Sequence, residues 1–409
     1  MEVLYPRCAG LDVHKESVTA CVLTPGEGAD PEKQIQQFGT TTAELRSLAE
    51  WLKQEQVTHA AMESTGVYWK PVFNVLEASC ELILVNARHM KQVPGRKTDK
   101  ADSSWVANLL RHGLLEASFV PPLEVRELRD LCRMRTTLVR ECVQVGNRIR
   151  KVLEDANVKL DSVASNTLGV SGRLMIHALI EGEQDPVVLA ELARGRMRNK
   201  LAELTAALEG QVRPHHRFLL RQWMRLLDSL EQHIVEVEEE IERHMTPFAC
   251  AAELLMQMPG IDRTAACALI AEIGADMSRF ASARHLASWA GLCPGNNTSA
   301  GKSRSGKSHR GNPWIKGLMT EIAWAAARTK NSYPAALYKR LAAHRGKKRA
   351  LVAVANALLQ VVWHILSRKQ PYRDLGADYF DRINRQRLTH TLVRRLERLG
   401  HKVSLLSAA

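Results

Sequence analysis

Four carboxylates and one hydroxyl fall where phosphate chemistry could use them: Asp12, Glu63, Asp99, Asp102 and Ser299. Asp99 and Asp102 stand three apart, which sets both on one face of a helix. Acidic groups gathered at one place repel one another unless hard cations lie between them. An oxygen-only ligand set of this kind suits Mg2+ or Mn2+ in a two-metal phosphoryl-transfer site. Taken alone, Asp99 or Asp102 would serve equally as a helix N-terminal charge favoured by the dipole. Ser299 lies in a long small-and-basic stretch, Gly291 to Asn312, with Lys302, Arg304, Lys307 and Arg310 around it and Lys316 just beyond. Serine, glycine and asparagine build no core, and a loop this long inside a domain is usually functional or disordered. A serine among cations points to a phosphate, either as ligand or as target of attack.

The elements that must position these groups follow from the residue pattern. Residues 8–23 alternate small or apolar with polar residues and read as two strands joined by a tight turn, with a third near Ile35–Phe38. Thr41 or Thr42 caps a helix carrying Leu45, Leu48, Ala49 and Leu52. A strand at His59–Glu63, a helix through Val72, Val75 and Leu76, and the strand Leu82–Val85 come next. A basic loop with Arg88, Lys91, Arg96 and Lys97 precedes a helix opening near Asp99, where Lys100 adds another cation. The order β-β-β-α-β-α-β-α is that of a ribonuclease-H-like domain. It puts Asp12 in the first strand, Glu63 at the end of the fourth, and Asp99 and Asp102 at the start of the last helix.

Beyond residue 120 the pattern turns helical. Residues 123–156 keep a 3/4 apolar spacing through Leu128, Leu131, Leu138, Cys142, Val145, Ile149 and Val152, flanked by arginines. Leu220, Trp223, Leu227, Leu230, Ile234, Val237 and Ile241 step 3-4-3-4-3-4, three heptads of a coiled coil that could pair within the chain or between copies. Met258-Pro259-Gly260-Ile261 is similar to a helix-hairpin-helix turn, whose backbone amides can meet a DNA phosphate. Helices are expected at 313–328 and 349–367, with a basic surface helix in the tail after Tyr372. The expected fold is thus α/β plus all-α: residues 1–120 as a ribonuclease-H-like domain, 121–250 as a helical and coiled-coil linker and dimerisation region, and 251–409 as a mainly helical domain with the serine loop.

Composition narrows the partners. Across 409 residues, 45% hydrophobic and 25% charged is ordinary for a globular chain. No apolar run is seen to approach the ~20 residues of a membrane helix, and residues 1–7 lack the apolar region of a signal peptide. The eight cysteines include no C-x-x-C pair, so neither a zinc knuckle nor a disulfide framework is expected, and a reduced cytoplasmic protein is. The net charge of +13 is unevenly placed. From Ala300 onward there are 23 Lys and Arg against 5 Asp and Glu, while residues 1–299 hold 34 against 39. Such asymmetry points to a polyanion, foremost nucleic acid. Aromatic content is 5% with no aromatic stripe, so backbone contact rather than base stacking is expected.

Gly10-Leu11-Asp12-Val13-His14-Lys15, Met62-Glu63-Ser64-Thr65-Gly66 and Lys97-Thr98-Asp99-Lys100-Ala101-Asp102 resemble the three acidic motifs of the DEDD transposases. Gly291-Leu292-Cys293-Pro294, Ser299-Ala300-Gly301 and Gly311-Asn312 resemble the C-terminal motif of the same group, the insertion-sequence one-ten family with its eleven-eleven subgroup. The resemblance spans nearly the whole chain and is least distinctive over 157–245 and the tail. It implies a RuvC-like domain holding magnesium through Asp12, Glu63, Asp99 and Asp102, and a nucleophilic serine at the position of Ser299. It further implies donor and target DNA as substrates, a bridge RNA as guide, and a homo-oligomer, dimer or tetramer, that shares active sites between subunits. A bacterial cytoplasmic protein, nucleoid-associated when acting and with no membrane partner, would follow. Members usually carry Gly directly after the serine, whereas Ala300 intervenes here, and Thr298, Ser303 and Ser305 are neighbouring hydroxyls. A metal-dependent junction nuclease using the acidic quartet alone, or an inactive nucleic-acid-binding regulator, are the competing readings.

Overall fold

The computed structural model describes residues 2–26, 30–64, 66–86, 102–295, 297–299, 302–305, 308 and 311–405, with backbone alone for 297–299 and 302–305. It comprises two compact units, Met1–Val120 and Pro121–Ala409.

The first unit runs β1 (Cys8–Val13), β2 (Ser17–Thr24), β3 (Glu32–Gly39), α1 (Thr42–Gln54), β4 (His59–Glu63), α2 (Trp69–Leu76), β5 (Glu81–Val85) and α3 (Asp102–Arg111). The five strands form one sheet in the order β3-β2-β1-β4-β5. β2 is antiparallel to both β1 and β3, whereas β4 is parallel to β1 and β5. Alternation along β1 sorts its side chains between two cores. Ala9, Leu11 and Val13 join Met62, Leu45, Leu48 and Leu76 under α1 and α2. Cys8 faces the other way, with Ala61 and Val85, under Val106, Ala107 and Leu110 of α3. Burial there pushes the Cys8 thiol up to about 12, so it stays a protonated apolar filler. Thr41 caps α1 by accepting from Glu44 N, as its place before the apolar periodicity suggests.

The second unit is helical. α4 (Leu123–Asp155), the short α5 (Leu160–Val163), α6 (Val170–Glu181), α7 (Pro186–Glu191) and α8 (Leu201–Leu208) lead to α9 (Pro214–His244). α9 pairs with α4 through buried Leu220, Met224, Leu227, Leu230, Val237 and Ile241. This is the expected heptad seam, closed within the chain; Met224 takes the buried place expected of Trp223, and Arg148 instead lies 4.9 Å over the Trp223 ring. His216 near the start of α9 bonds Asp155 at the end of α4, and Arg135 near the start of α4 bonds Glu238 near the end of α9. The pair is therefore antiparallel.

α10 (Ala249–Met256), α11 (Arg263–Ile273), α12 (Ala283–Trp289), the hairpin β6 (Asn297–Ser299) and β7 (Lys302–Ser305), α13 (Pro313–Ala326), α14 (Tyr333–Arg345), α15 (Lys347–Arg368), α16 (Tyr379–Ile383) and α17 (Arg385–Arg398) complete the unit. α11 packs on α4, so residues 121–250 and 251–409 share one packed body. α15 contacts α10, α12, α13 and α14 and is the hub of the C-terminal half. It also corrects one expectation, because by length and composition alone it could cross a membrane. Asn356, Gln360 and His364 interrupt the apolar run by eye, yet they fall four apart on one stripe. The rest of the helix buries Val354, Leu358, Leu359, Val362 and Ile365. The Pro259-Gly260 turn lies between α10 and α11. Gly260 has φ +86°, and a Cβ there would stand 2.6 Å from the Ile322 carbonyl oxygen and 2.8 Å from Ala326 N. The turn's glycine is required by its close packing against α13.

The tightest seam of the first unit is at Gly10, where a Cβ would lie 2.1 Å from Ser103 O and 2.4 Å from Ala107 N. Backbone cannot yield as a side-chain tip can. Gly10→Ala should therefore destabilise the protein by about 1–3 kcal/mol, read as a lower urea midpoint; an unchanged midpoint would refute the close approach of β1 and α3.

Candidate active site

The acidic residues meet at one end of one sheet face. Gly10 pairs with Ala61 and Leu11 with Met62 in the parallel β1–β4 ladder, so Asp12 and Glu63 come next in register. Residues paired in a parallel ladder point to the same face, and period two puts Cys8, Gly10, Asp12, Ala61 and Glu63 together. α3 covers this face. Cys8 lies against Ala107 O, Gly10 against Ser103 and Ala107, and Leu4 and Tyr5 bond Arg111 O. α3 thus runs antiparallel to β1, and its first residue, Asp102, arrives at the end where Asp12 and Glu63 stand. Gly10 makes this possible, since any side chain would hold the helix off the strand. All three carboxylates are half-buried, with the Asp12 side chain 26% exposed. Asp99, Arg96, Lys97 and Lys100 lie outside the described residues.

His14 adds a residue that the sequence motif contained without a role. Its Nε2 is 3.2 Å from Asp12 Oδ2, at the rim of the same edge and largely exposed. Asp12, Glu63 and Asp102 share this end of the face, and carboxylate oxygen is the donor type that a hard divalent cation takes.

The serine loop is built from its ends inward. Gly291 and Gly311 touch back to back: a Cβ on Gly311 would be 2.3 Å from Gly291 N. Pro294 and Ser308 form an isolated bridge, and the Lys316 ammonium donates to Ser308 Oγ at 2.7 Å. Between them β6 and β7 pair antiparallel, with Thr298 opposite Ser303 and Ser299 opposite Lys302. The expected loop is therefore a hairpin at its centre. Nothing apolar alternates in Asn297–Ser305, so no strand signal was legible there. Lys307 and Arg310 lie outside the described residues, and Arg304 and Lys302 are placed by backbone alone.

Beneath the loop lies a buried carboxylate that sequence reasoning missed. Glu272 on α11 is 4% exposed. Arg133 of α4 donates to it twice, from Nε at 2.7 Å and Nη2 at 2.9 Å, and Asn312 Nδ2 donates to Oε2 at 2.7 Å. Asn312 simultaneously caps α13 by accepting from Trp314 N. Arg129 donates to the backbone oxygens of Ala271 and Glu272. Burial pulls Arg129 down to about 10, and the neighbouring Glu272 acts in the opposite sense, so it stays charged at neutral pH. Arg133 and Arg140 both lie 5.2 Å over the Trp314 ring. An acidic residue inside the apolar run Leu269-Ile270-Ala271-Glu272-Ile273 was the one available signal.

A His-Asp cluster sits apart, where Asp155, His215 and His216 bring potential ligand atoms within 4.8 Å of one another. Its chemistry argues against a metal. His216 Nδ1 accepts from Arg213 N, which leaves Nε2 protonated and donating to Asp155. Both ring nitrogens are engaged, Nδ1 in capping α9 and Nε2 in fastening it to α4.

With this geometry in place, the comparisons fit it segment by segment. Residues 9–158 match the DEDD transposase model of the IS110 family, described as "Transposase", and residues 252–339 match the model "Transposase IS116/IS110/IS902 family". The chain belongs to the IS110 transposase family. The first match contains the acidic edge and the second contains Glu272, the hairpin and Asn312. Among similar proteins are the "Transposase for insertion sequence element IS1111A" of Coxiella burnetii, 24% identical over 89% of this chain and 90% of its own length. A "Probable family 20 transposase" of Pseudomonas aeruginosa is 26% identical over 76% of this chain and 85% of its own. The "Insertion element IS110 uncharacterized 43.6 kDa protein" of Streptomyces coelicolor is 26% identical over 87% of this chain and 93% of its own.

In this family member, Glu272→Ala should leave Arg133 and Asn312 without their shared acceptor deep in the unit. Breaking a buried ion pair costs about 3–5 kcal/mol. Thermal unfolding should shift by several degrees, and a wild-type melting curve would show that Glu272 does not hold the loop's base.

Proposed function

We propose that this transposase is a recombinase that cuts and rejoins DNA through Ser299, with Asp12, Glu63, Asp99 and Asp102 holding divalent metal, Mg2+ or Mn2+. The observation that carries this reading is the convergence of Asp12, Glu63 and Asp102 at one end of one sheet face. The strand order β3-β2-β1-β4-β5, with β2 alone reversed against β1, fits the ribonuclease-H-like architecture in which such an edge is a phosphoryl-transfer site. Bound there, divalent cations would neutralise charge on the phosphate under attack. His14, at hydrogen-bond distance from Asp12, is placed to hold that carboxylate's orientation.

In the reaction, the Ser299 oxygen forms a bond to a DNA phosphorus, and a sugar oxygen leaves as a hydroxyl after taking a proton. The phosphoserine link keeps the energy of the broken diester, so attack by another strand's hydroxyl reseals DNA and frees the serine without ATP. The acidic edge belongs to the first compact unit and the hairpin to the second. A homo-oligomer that shares active sites between subunits follows the family resemblance. The positive excess from Ala300 onward supports phosphate-backbone contact by Lys302, Arg304, Lys307 and Arg310. Sequence choice by a bridge RNA follows the family resemblance, and cytoplasmic action on DNA goes with it.

The test is an adduct assay with purified protein, Mg2+, co-expressed RNA and element-end DNA. Wild type should form a covalent protein–DNA species that maps to Ser299 by mass spectrometry. Ser299→Ala should abolish it together with strand rejoining, and Asp12→Asn or chelation of metal should abolish cleavage. Continued cutting by Ser299→Ala would favour a hydrolytic nuclease, and an adduct at Ser303 or Ser305 would reassign the nucleophile.

A further inference from the structure

The far end of α13 opens on a cleft that neither the acidic edge nor the serine hairpin uses. It has a volume of about 720 Å3 and is walled by the turn between α13 and α14, by α14 itself, and by Phe380 of α16. Arg328, Lys330, Lys339 and Arg340 line it against a single carboxylate, Asp381. All four cations are exposed, and among the described residues none is ion-paired. Uncompensated positive charge in a concave site raises the local concentration of anions.

Two of these cations are already ordered. Arg328 lies 4.6 Å over the Trp324 ring and Arg340 lies 4.7 Å over the Phe380 ring. A guanidinium flat on an aromatic face spends its π-face there, and its N–H edge stays available for two oxygens of one phosphate. The aromatic rings are themselves braced. Tyr338 stands edge-on to Trp324 at 6.3 Å, and Tyr333 stacks on Phe380 at 5.5 Å. Trp324 is 41% exposed, which is unusual for an indole that could have been packed inward. The turn is fixed as well: Ser332 Oγ donates to Thr329 O, and Asn331 adopts φ +55°. Arginines lining a cleft beside an exposed, braced indole match the two demands of a single strand, a charged backbone and flat bases. A duplex hides its base faces and would leave Trp324 unused. An aromatic platform was not expected from the sequence, because Trp324, Tyr338 and Phe380 are scattered and meet only through the packing of α13, α14 and α16.

We propose that this cleft binds an unpaired segment of nucleic acid, its phosphates on Arg328 and Arg340 and a base against the exposed part of Trp324, which stands beside the cleft next to Arg328. α13 carries the cleft about 20 Å along its axis from Asn312 at the loop's base. The site is thus a separate anchor, and it rests on the reading that the chain handles nucleic acid.

The test is fluorescence anisotropy of the full-length protein with short labelled oligonucleotides of one sequence, as single-stranded RNA, single-stranded DNA and duplex DNA, across a salt series. Arg328→Ala with Arg340→Ala should weaken single-strand binding roughly 10-fold or more and flatten the salt dependence by ~1.4 log units per log unit of salt, for two phosphates. Trp324→Ala should weaken it at least about 5-fold through lost stacking, with the salt dependence unchanged. Ultraviolet crosslinking of the wild type should map to peptides holding Trp324 or Tyr338, a readout that no variant's folding can confuse. A preference for RNA would name a guide strand and one for DNA a substrate strand, each in support. Wild-type affinity in the double variant, equal loss on duplex, or crosslinks elsewhere would overturn the proposal. If the adduct assay fails while this pattern holds, the recombinase reading falls and the cleft stands.

Discussion

A carboxylate cannot remain charged inside a protein unless donors are brought to it. Glu272 imposes that constraint on the second unit. Its partners come from α4, more than a hundred residues earlier, and from the residue that ends the serine loop and begins α13. Satisfying one buried charge therefore fixes three things at once: the register of α11 on α4, the direction in which α13 leaves, and the place where the loop closes. Apolar packing along α4 and α9 supplies cohesion, but many sliding arrangements of two apolar faces would do so almost equally well. The bidentate arginine and the asparagine cap select one of them.

The first unit solves a different problem with the opposite chemistry. There, like charges must approach, and the device is the absence of a side chain. Gly10 lets the backbone of α3 lie directly on β1, which brings the helix's first carboxylate to the strand ends where Asp12 and Glu63 stand. The cysteines and alanines on the same face keep the approach close along the rest of the helix.

How much of this was readable beforehand depended on whether the signal was local. The alternation in residues 8–23, the cap at Thr41 and the heptads of α9 are local, and each appears where the residues put it. The acidic edge was legible because strand order dictates which ends coincide. Glu272, by contrast, is one acidic residue among many until its arginines are seen. α14 has apolar residues spread around its circumference, so no face announced it, and the 297–305 hairpin is held by backbone pairing in a segment too polar to alternate. The packing that makes Gly260 necessary was not legible, because its contact on α13 lies more than sixty residues away.

The back-to-back glycines at 291 and 311 have a consequence for how such a protein can change. They close the chain on itself before the hairpin begins, and Asn312 is then secured from below. Buried Leu292 and the Lys316 bond to Ser308 complete the footing on which the β6–β7 hairpin stands. A tip of another length or sequence could stand on the same footing without disturbing the helices.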